Sequence, residues 1–437
     1  MVRDRAAAVP AANRQAVSRH FELKGTALNT RRVITSAEPF GFGPVSKLRS
    51  VGKLLGADGW AIDFVGTGSA LAYAREESEV FRSVTALESP DDLLRLDAAD
   101  YDAAVSVMDP FLALWAHRNG LPCLYVDSLF WFWTWQNAEH LNEQWNIVTA
   151  ADAAPADGLE LLQRLPMPTA EYLGHRAASV SCVQRTVSTA AVSDAMREIT
   201  PVVTTGAIVD LSRQRSAVPD IWTVSLSGLI NPLITHEEAA RWATAAIRLV
   251  DEAFTSAGIA DAKIYLTGNS DVIANLEGVP PRFEFEPREA GAVLDLFNRS
   301  HACLTPPGLT TMLESLAYEC PVIPLPPQHY GHERILREFS NHNADAFPQA
   351  VTAEQLGVFD TGVADADTRR LIEAFHQQAQ AGSPQWASMV ASMADTLRRA
   401  LDSRSELLDR QRDIVGSIVG GFSGAQEVRA AFDAMMG

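Results

Sequence analysis

The sequence predicts an α/β protein made of two Rossmann-like, doubly wound parallel-sheet domains that face each other across a cleft. Three observations lead there. From Arg31 onward, short apolar runs alternate with amphipathic helical stretches, the pattern of βαβ units. The alternation stops at a polar stretch, residues 210–220, and then restarts. The chain is 437 residues long, enough for two such domains with cores of their own.

In the first half, Arg32-Val33-Ile34-Thr35-Ser36 reads as a strand, and the turn Pro39-Phe40-Gly41-Phe42-Gly43-Pro44 ends it. Val45, Leu48, Val51, Leu54 and Leu55 then fall at helical spacing before Gly56. Residues 60–65, 101–108 and 121–126 are further strands, with a helix at 111–118 between the last two. Residues 157–178 read as helix broken near Pro166 and Pro168, and 202–209 as extended chain. This half, residues 31–209, follows an Ala/Arg-rich stretch, 1–30, that reads as a flexible tail.

Residues 210–220 carry arginines and a proline and are expected to be the linker. The second half, 221–385, has strands at 221–226, 263–266, 283–285, 301–304 and 321–325. Helices are expected at 237–254, 290–298 and 310–319. Past Tyr330 the pattern is helical, and residues 386–437 are expected to be terminal helices that either stay with the second half or return to the first.

Composition narrows the function. The charged residues sum to 36 − 54 = −18, which argues against non-specific binding of nucleic acid or an anionic membrane. Cys123, Cys182, Cys303 and Cys320 are far apart with no CxxC, so buried thiols in a reducing compartment are expected and a zinc site is not. No apolar run nears the ~20 residues of a membrane span, and no apolar stretch follows the early charges before Phe21. A cytoplasmic protein without membrane or nucleic-acid partners is predicted, and a homodimer stays open.

Two motifs suggest a nucleotide ligand. Gly41-Phe42-Gly43-Pro44-Val45-Ser46 is a GxGxxS turn between strand and helix, close to the dinucleotide fingerprint. Asp63, however, lies inside its strand, not at its end where a ribose-binding acid belongs, so a nicotinamide cofactor is disfavoured. The turn also reads as a plain strand-to-helix junction. In the second half, Thr305-Pro306-Pro307-Gly308-Leu309-Thr310-Thr311 joins strand to helix through small residues. The free N–H groups of such a helix start suit a diphosphate, and Thr310 and Thr311 add hydroxyls. Glu314 falls one helical turn beyond Thr310 on the same face, where it can accept from a ribose. The ordinary alternative is a helix cap beside a solvated glutamate.

This second segment resembles the donor-binding signature of GT-B glycosyltransferases. The resemblance implies diphosphate contacts at Gly308, Thr310 and Thr311 and a ribose contact at Glu314. It further implies phosphate approach at Ser227, Gly228 and Gly268, and sugar-hydroxyl contacts at Gln328 and His329. Gly41 and Gly43 would let the opposite backbone approach the donor. More narrowly, the runs 33–44, 125–131 and 306–327 look like the cytosylglucuronate synthase family, over roughly residues 31–345. That family joins glucuronate from UDP-glucuronate to cytosine or hydroxymethylcytosine in nucleoside antibiotic pathways. A UDP-sugar epimerase, a transferase with another sugar or acceptor, and a non-catalytic UDP-sugar binder are the competing readings.

The chemistry asks for further residues. Leu129-Phe130-Trp131-Phe132-Trp133-Thr134-Trp135-Gln136-Asn137 offers rings to stack a flat base, with Phe130, Trp131 and Trp133 as candidates and Gln136 to read its edge. Core packing is the competing use of such a run. A ring nitrogen must lose its proton as the glycosidic bond forms. Glu38, ending the first strand, is the expected base, although the family more often places a histidine there; Asp109 and Asp127, ending neighbouring strands, are rivals or loop caps. Arg288, Arg334 and Lys47 are candidates for the glucuronate carboxylate. No DxD-like pair stands at a strand end near the donor motif, so neither metal nor cofactor is expected, with UDP-glucuronate as a substrate.

Overall fold

The computed structural model describes residues 30–437 apart from 136–137, 151–154, 187–188, 227–228, 230, 232, 260, 286–289, 349–350 and 359–363. The expected N-terminal tail therefore lies outside the described residues, except Thr30.

The first half runs β1 (Arg32–Ala37), α1 (Gly43–Ala57), β2 (Ala61–Gly66), α2 (Gly68–Glu76), β3 (Ser83–Ala86), β4 (Ala103–Val107), α3 (Pro110–Arg118) and β5 (Cys123–Asp127). It continues with α4 (Ala138–Val148), α5 (Pro155–Arg164), α6 (Met167–Ala177), β6 (Val180–Gln184), α7 (Thr189–Met196) and β7 (Val202–Thr205). The second half comprises β8 (Ile221–Ser225), α8 (His236–Ser256), β9 (Ile264–Thr267), α9 (Ser270–Ile273), β10 (Phe283–Phe285), α10 (Ala290–Arg299), β11 (Ser300–Thr305), α11 (Leu309–Ala317) and β12 (Val322–Pro324). Helices follow: α12 (Tyr330–Ser340), α13 (Ala364–Ala381), α14 (Pro384–Asp402), α15 (Arg404–Ile418) and α16 (Gly424–Met436).

Seven strands form one sheet in the order β3-β2-β1-β4-β5-β6-β7, and five form another, β10-β9-β8-β11-β12. The described pairings are all parallel. Both sheets are covered on two faces, so alternate residues of one strand enter different cores. Val33, Val105 and Val126 pack on one side of the larger sheet, while Ile34, Ala104 and Tyr125 pack on the other. The order reverses at β1/β4 in the larger sheet and at β8/β11 in the smaller. Such reversals leave a crevice beyond the strand C-termini, where ligands of doubly wound folds bind.

Two connections join the halves. Asp210, in the expected linker, accepts from Arg49 Nη1 and Lys53 Nζ, each at 2.7 Å, and its carbonyl accepts from Tyr318 Oη at 2.7 Å. The linker is thus pinned to α1 and to the end of α11. At the other connection, α16 returns to the larger sheet and buries Ala425, Val428, Ala431 and Phe432 there. The return needs a glycine: a Cβ on Gly424 would meet Gly206 O at 2.3 Å. Glu427 Oε2 accepts the Gly206 N–H at 2.7 Å, fixing the contact. Among the described residues, α16 is the terminal helix that packs on the larger sheet. Met389, Met393 and Leu397 of α14, and Leu408, Ile414 and Val415 of α15, pack within cores that contain the smaller sheet.

Candidate functional site

The C-terminal ends of β1 and β4 and of β8 and β11 open on one cleft of about 410 Å³. The structure brings Glu38, Gly41, Gly43, Lys47, Gly268, Gly308, Thr310, Thr311, Glu314, Gln328 and His329 together on its walls. Eleven residues proposed from sequence therefore share one space, contributed by both halves.

On the wall of the smaller sheet, α11 begins after Gly308 with no side-chain cap and no acid in its first turn. Its leading N–H groups and the positive end of its dipole are left for an anion. Across the cleft, α1 likewise begins with neither a side-chain cap nor a first-turn acid. The two starts nearly touch: a Cβ on Gly43 would lie 3.0 Å from Thr310 Oγ1. Ser46 Oγ donates to Glu314 Oε1 at 2.6 Å, and Lys47 Nζ donates to Thr310 Oγ1. Burial raises the Glu314 carboxyl above its usual range, against the opposing pull of the Ser46 hydrogen bond and Lys47. Burial pushes the Lys47 ammonium down to about 8, with Glu314 opposing the shift.

The wall of the larger sheet is acidic. Glu38 follows β1, and its N–H donates to Val107 O at 3.0 Å, which ties it to the end of β4. Burial, then Asp127, then Asp109, push its carboxyl up to about 8. A carboxylate of that basicity is a far better proton acceptor than a solvated one.

The two rival carboxylates have other partners. Asp109 caps α3, accepting the Phe111 N–H at 3.0 Å. Asp127 is fully buried and accepts from Leu129 N–H and Trp133 Nε1, both at 2.7 Å. His175 Nε2 lies 3.0 Å from Asp127 Oδ2, and His175 Nδ1 lies 3.1 Å from Ser181 Oγ. Tyr125 Oη donates to Glu171 Oε2 at 2.7 Å, and burial together with Asp127 drives the Glu171 carboxyl well up. Asp127, Glu171 and His175 have donor atoms within 4.8 Å of one another. Those atoms are already engaged by protein groups, so the cluster fits a hydrogen-bonded support better than a metal site. None of these five side chains lines the cleft.

The sugar-contact candidates are neutral. Burial drives His329 down to about 4, so its imidazole carries no charge at neutral pH. It stacks on His332 with centroids 3.7 Å apart and meets the Phe40 ring edge-on at 5.7 Å. Gln328 donates from Nε2 to Leu229 O at 3.1 Å. Such groups suit hydroxyls and cannot neutralise a carboxylate.

The aromatic run lies elsewhere. Phe130 is fully buried and packs on His175 and Trp135, with centroids at 5.1 and 5.2 Å. Trp131 is buried among residues of α11 and α12, and Trp133 holds Asp127. A short helical turn at 130–132 directs these rings inward, so among the described residues of this segment Ser128 and Leu129, just before it, reach the cleft. The rings that do line the cleft include Phe40 and Phe42, from the turn before α1. Arg334 donates to the carbonyls of Trp131 at 3.1 Å and Phe132 at 3.0 Å, which makes it a staple between the halves away from the cleft wall. Ser227, Gly228, Arg288 and Gln136 lie outside the described residues.

Sequence reasoning missed Ser46, Arg49, Glu171 and His175. Ser46 was findable, because Gly43, Ser46 and Lys47 share one face at the start of α1. Glu171 and His175 are also one turn apart on α6, but nothing local shows that they meet Asp127.

No protein-family model matches the sequence, and no curated protein matches it significantly. Solved structures do resemble it. UGT71G1 of Medicago truncatula, solved with UDP-glucose, is 13% identical with TM-score 0.46, over 94% of this chain and 99% of that one. CalG4, the calicheamicin glycosyltransferase, is 16% identical with TM-score 0.41, over 86% and 99%. A Listeria monocytogenes protein described as a UDP-N-acetylglucosamine 2-epimerase is 10% identical with TM-score 0.50, over 93% and 96%. At these identities the likeness is one of fold. The two facing parallel sheets, seven and five strands wide, are those of the GT-B fold.

Proposed function

We propose that the protein is an inverting glycosyltransferase that moves glucuronate from UDP-glucuronate to N1 of cytosine, or of hydroxymethylcytosine, in the cytoplasm. The observation that carries the reading is the opposition in one cleft of an uncapped helix start, at Gly308–Thr311, and a strongly basic carboxylate, Glu38. The sequence runs around 33–44, 125–131 and 306–327 support the choice of donor and acceptor.

In this reading the α11 N–H groups and the Thr310 and Thr311 hydroxyls hold the diphosphate, and Glu314 accepts from the ribose after releasing Ser46. The bond from sugar C1 to the β-phosphate oxygen breaks, and the electron pair leaves with UDP. Charge that develops on the departing oxygen meets donors already in place, so little reorganisation is needed. Cytosine N1 attacks C1 from the opposite face, and its proton passes to Glu38. Phe40 and Phe42 are the rings placed to stack the base, worth about 1–3 kcal/mol per ring. The sequence offers no acidic pair for a metal at the donor strand ends, and every step here uses the chain's own groups.

The test is UDP release from UDP-glucuronate with and without cytosine, in buffer containing a chelator. Release that requires cytosine and yields a cytosine–glucuronate adduct is the expected result. The Listeria likeness favours one second reading, a UDP-sugar epimerase. That reading predicts a changed sugar, or UDP release, with no dependence on acceptor. A protein that binds no UDP overturns both.

A further inference from the structure

Two helices from opposite halves begin at the same point in the cleft, Gly43 of α1 facing Thr310 of α11. Neither start has a side-chain cap or an acidic residue, so two positive dipole ends converge there. Lys47 adds a formal charge. It is 2% exposed, and the partner described for it is a hydroxyl, Thr310 Oγ1. Arg49, the other lysine or arginine on the cleft wall, has its charge matched by Glu77 at 2.6 Å and Asp210 at 2.7 Å. Among the described residues Lys47 forms no ion pair, and Glu314, the acid that acts on it through space, accepts from Ser46 instead. A buried ammonium facing a hydroxyl and two helix starts carries a desolvation cost that no ion pair among the described residues offsets, and an entering anion relieves that cost.

We propose that Lys47 is a diphosphate ligand supplied by the half opposite the nucleotide-binding helix, so that both halves grip the donor's phosphates. The assignment rests on the UDP-sugar reading of the cleft. On donor entry the Lys47–Thr310 hydrogen bond gives way to a Lys47–phosphate ion pair. The Thr310 hydroxyl, no longer needed as an acceptor, turns to donate to the phosphate. A charge-assisted bond of this kind is roughly twice as strong as the neutral one it replaces. Nucleotide affinity then depends on a residue 263 positions away in sequence from Thr310. A nucleoside without phosphates gains nothing from Lys47.

Calorimetric titration of the full chain with UDP and with uridine tests this on wild type, Lys47→Met and Lys47→Arg. Lys47→Met should weaken UDP at least about tenfold and leave uridine within about twofold, while Lys47→Arg should keep UDP within about threefold of wild type. Unchanged UDP affinity in Lys47→Met overturns the assignment, and so does an equal loss for UDP and uridine, which marks a structural role. The uridine arm and the arginine variant guard against misfolding. If wild type binds UDP and Lys47→Met binds it equally well, only this assignment falls. If wild type binds no UDP, the UDP-sugar reading falls first.

Discussion

The two halves share a topology and present opposite chemistry at the same topological position. Where the larger sheet reverses its order, the strand ends carry Glu38, with Asp109 and the buried Asp127 and Glu171 behind it. Where the smaller sheet reverses, the chain offers Gly308, hydroxyls and the bare start of a helix. One wall attracts protons and the other attracts anions. The fold supplies a cleft and the strand-end residues decide what each wall does. In the proposed reading this divides the work of glycosyl transfer: the α11 start holds the leaving diphosphate, with Lys47 reaching it from the other half, and the acid wall takes the acceptor's proton.

Removing the acid wall's working group should separate the two roles. Glu38→Gln should lower kcat by about 10²–10⁴-fold, the range of a lost general base, and leave UDP affinity within about twofold. Steady-state rates and UDP titration check this, and an active variant would move the base elsewhere. The mirror experiment is Glu314→Ala, which should weaken UDP by about tenfold, the worth of one hydrogen bond to a charged group. The circular dichroism spectrum should stay unchanged. A variant that binds UDP normally removes Glu314 from the ribose.

A third change sharpens the coupling within the acid wall. The carboxyl of Glu38 is raised partly by Asp127, and a base works only when ionised, so kcat should rise with pH through about 8. Asp127→Asn removes one neighbouring negative charge, eases ionisation of Glu38 and should move that rise to lower pH by less than about one unit. An unmoved profile would uncouple the two residues. The smallest effect is on stability. A carboxyl raised in the fold contributes stability fully present below its unfolded value, near 4.5, and lost as pH rises through about 8. Glu38→Gln should therefore match wild type in Tm near pH 4 and exceed it by a few degrees near pH 9.

The two walls were not equally legible in the sequence. The donor wall is local: Gly308, Thr310, Thr311 and Glu314 lie within seven residues, and helical spacing alone sets them on one face. The acid wall is assembled across strands, and sequence order does not show which carboxylate faces the cleft. Asp109 follows a strand, as Glu38 does, and Asp127 ends one, yet Asp109 caps a helix and Asp127 anchors Trp133 and His175. The aromatic run misled for a related reason. A cluster of rings after a strand end has the composition of a stacking platform, but the turn at 130–132 directs it into the core.

Most strands were readable because a parallel sheet covered on both faces demands continuous apolar runs. β3 and β6 were not: Ser83-Val84-Thr85-Ala86 is a largely exposed edge strand with a single aliphatic β-former, and Val180-Ser181-Cys182-Val183-Gln184 is interrupted by polar residues. Residues 386–437 read as terminal helices, but nothing in the pattern marks the break at Ser403 between α14 and α15, where the chain passes from one core to another. The return of α16 depends on Gly206 and Gly424 meeting across more than two hundred residues, a contact no periodicity signals.

The proposed function stands on the amides leading into α11 gripping a pyrophosphate. A crystal structure with UDP bound tests it most directly. The diphosphate is expected against the Gly308–Thr311 backbone, with the ribose hydroxyls on Glu314. UDP density elsewhere in the molecule, or an α11 start still closed off by Ser46 and Lys47 with nucleotide bound, would contradict it.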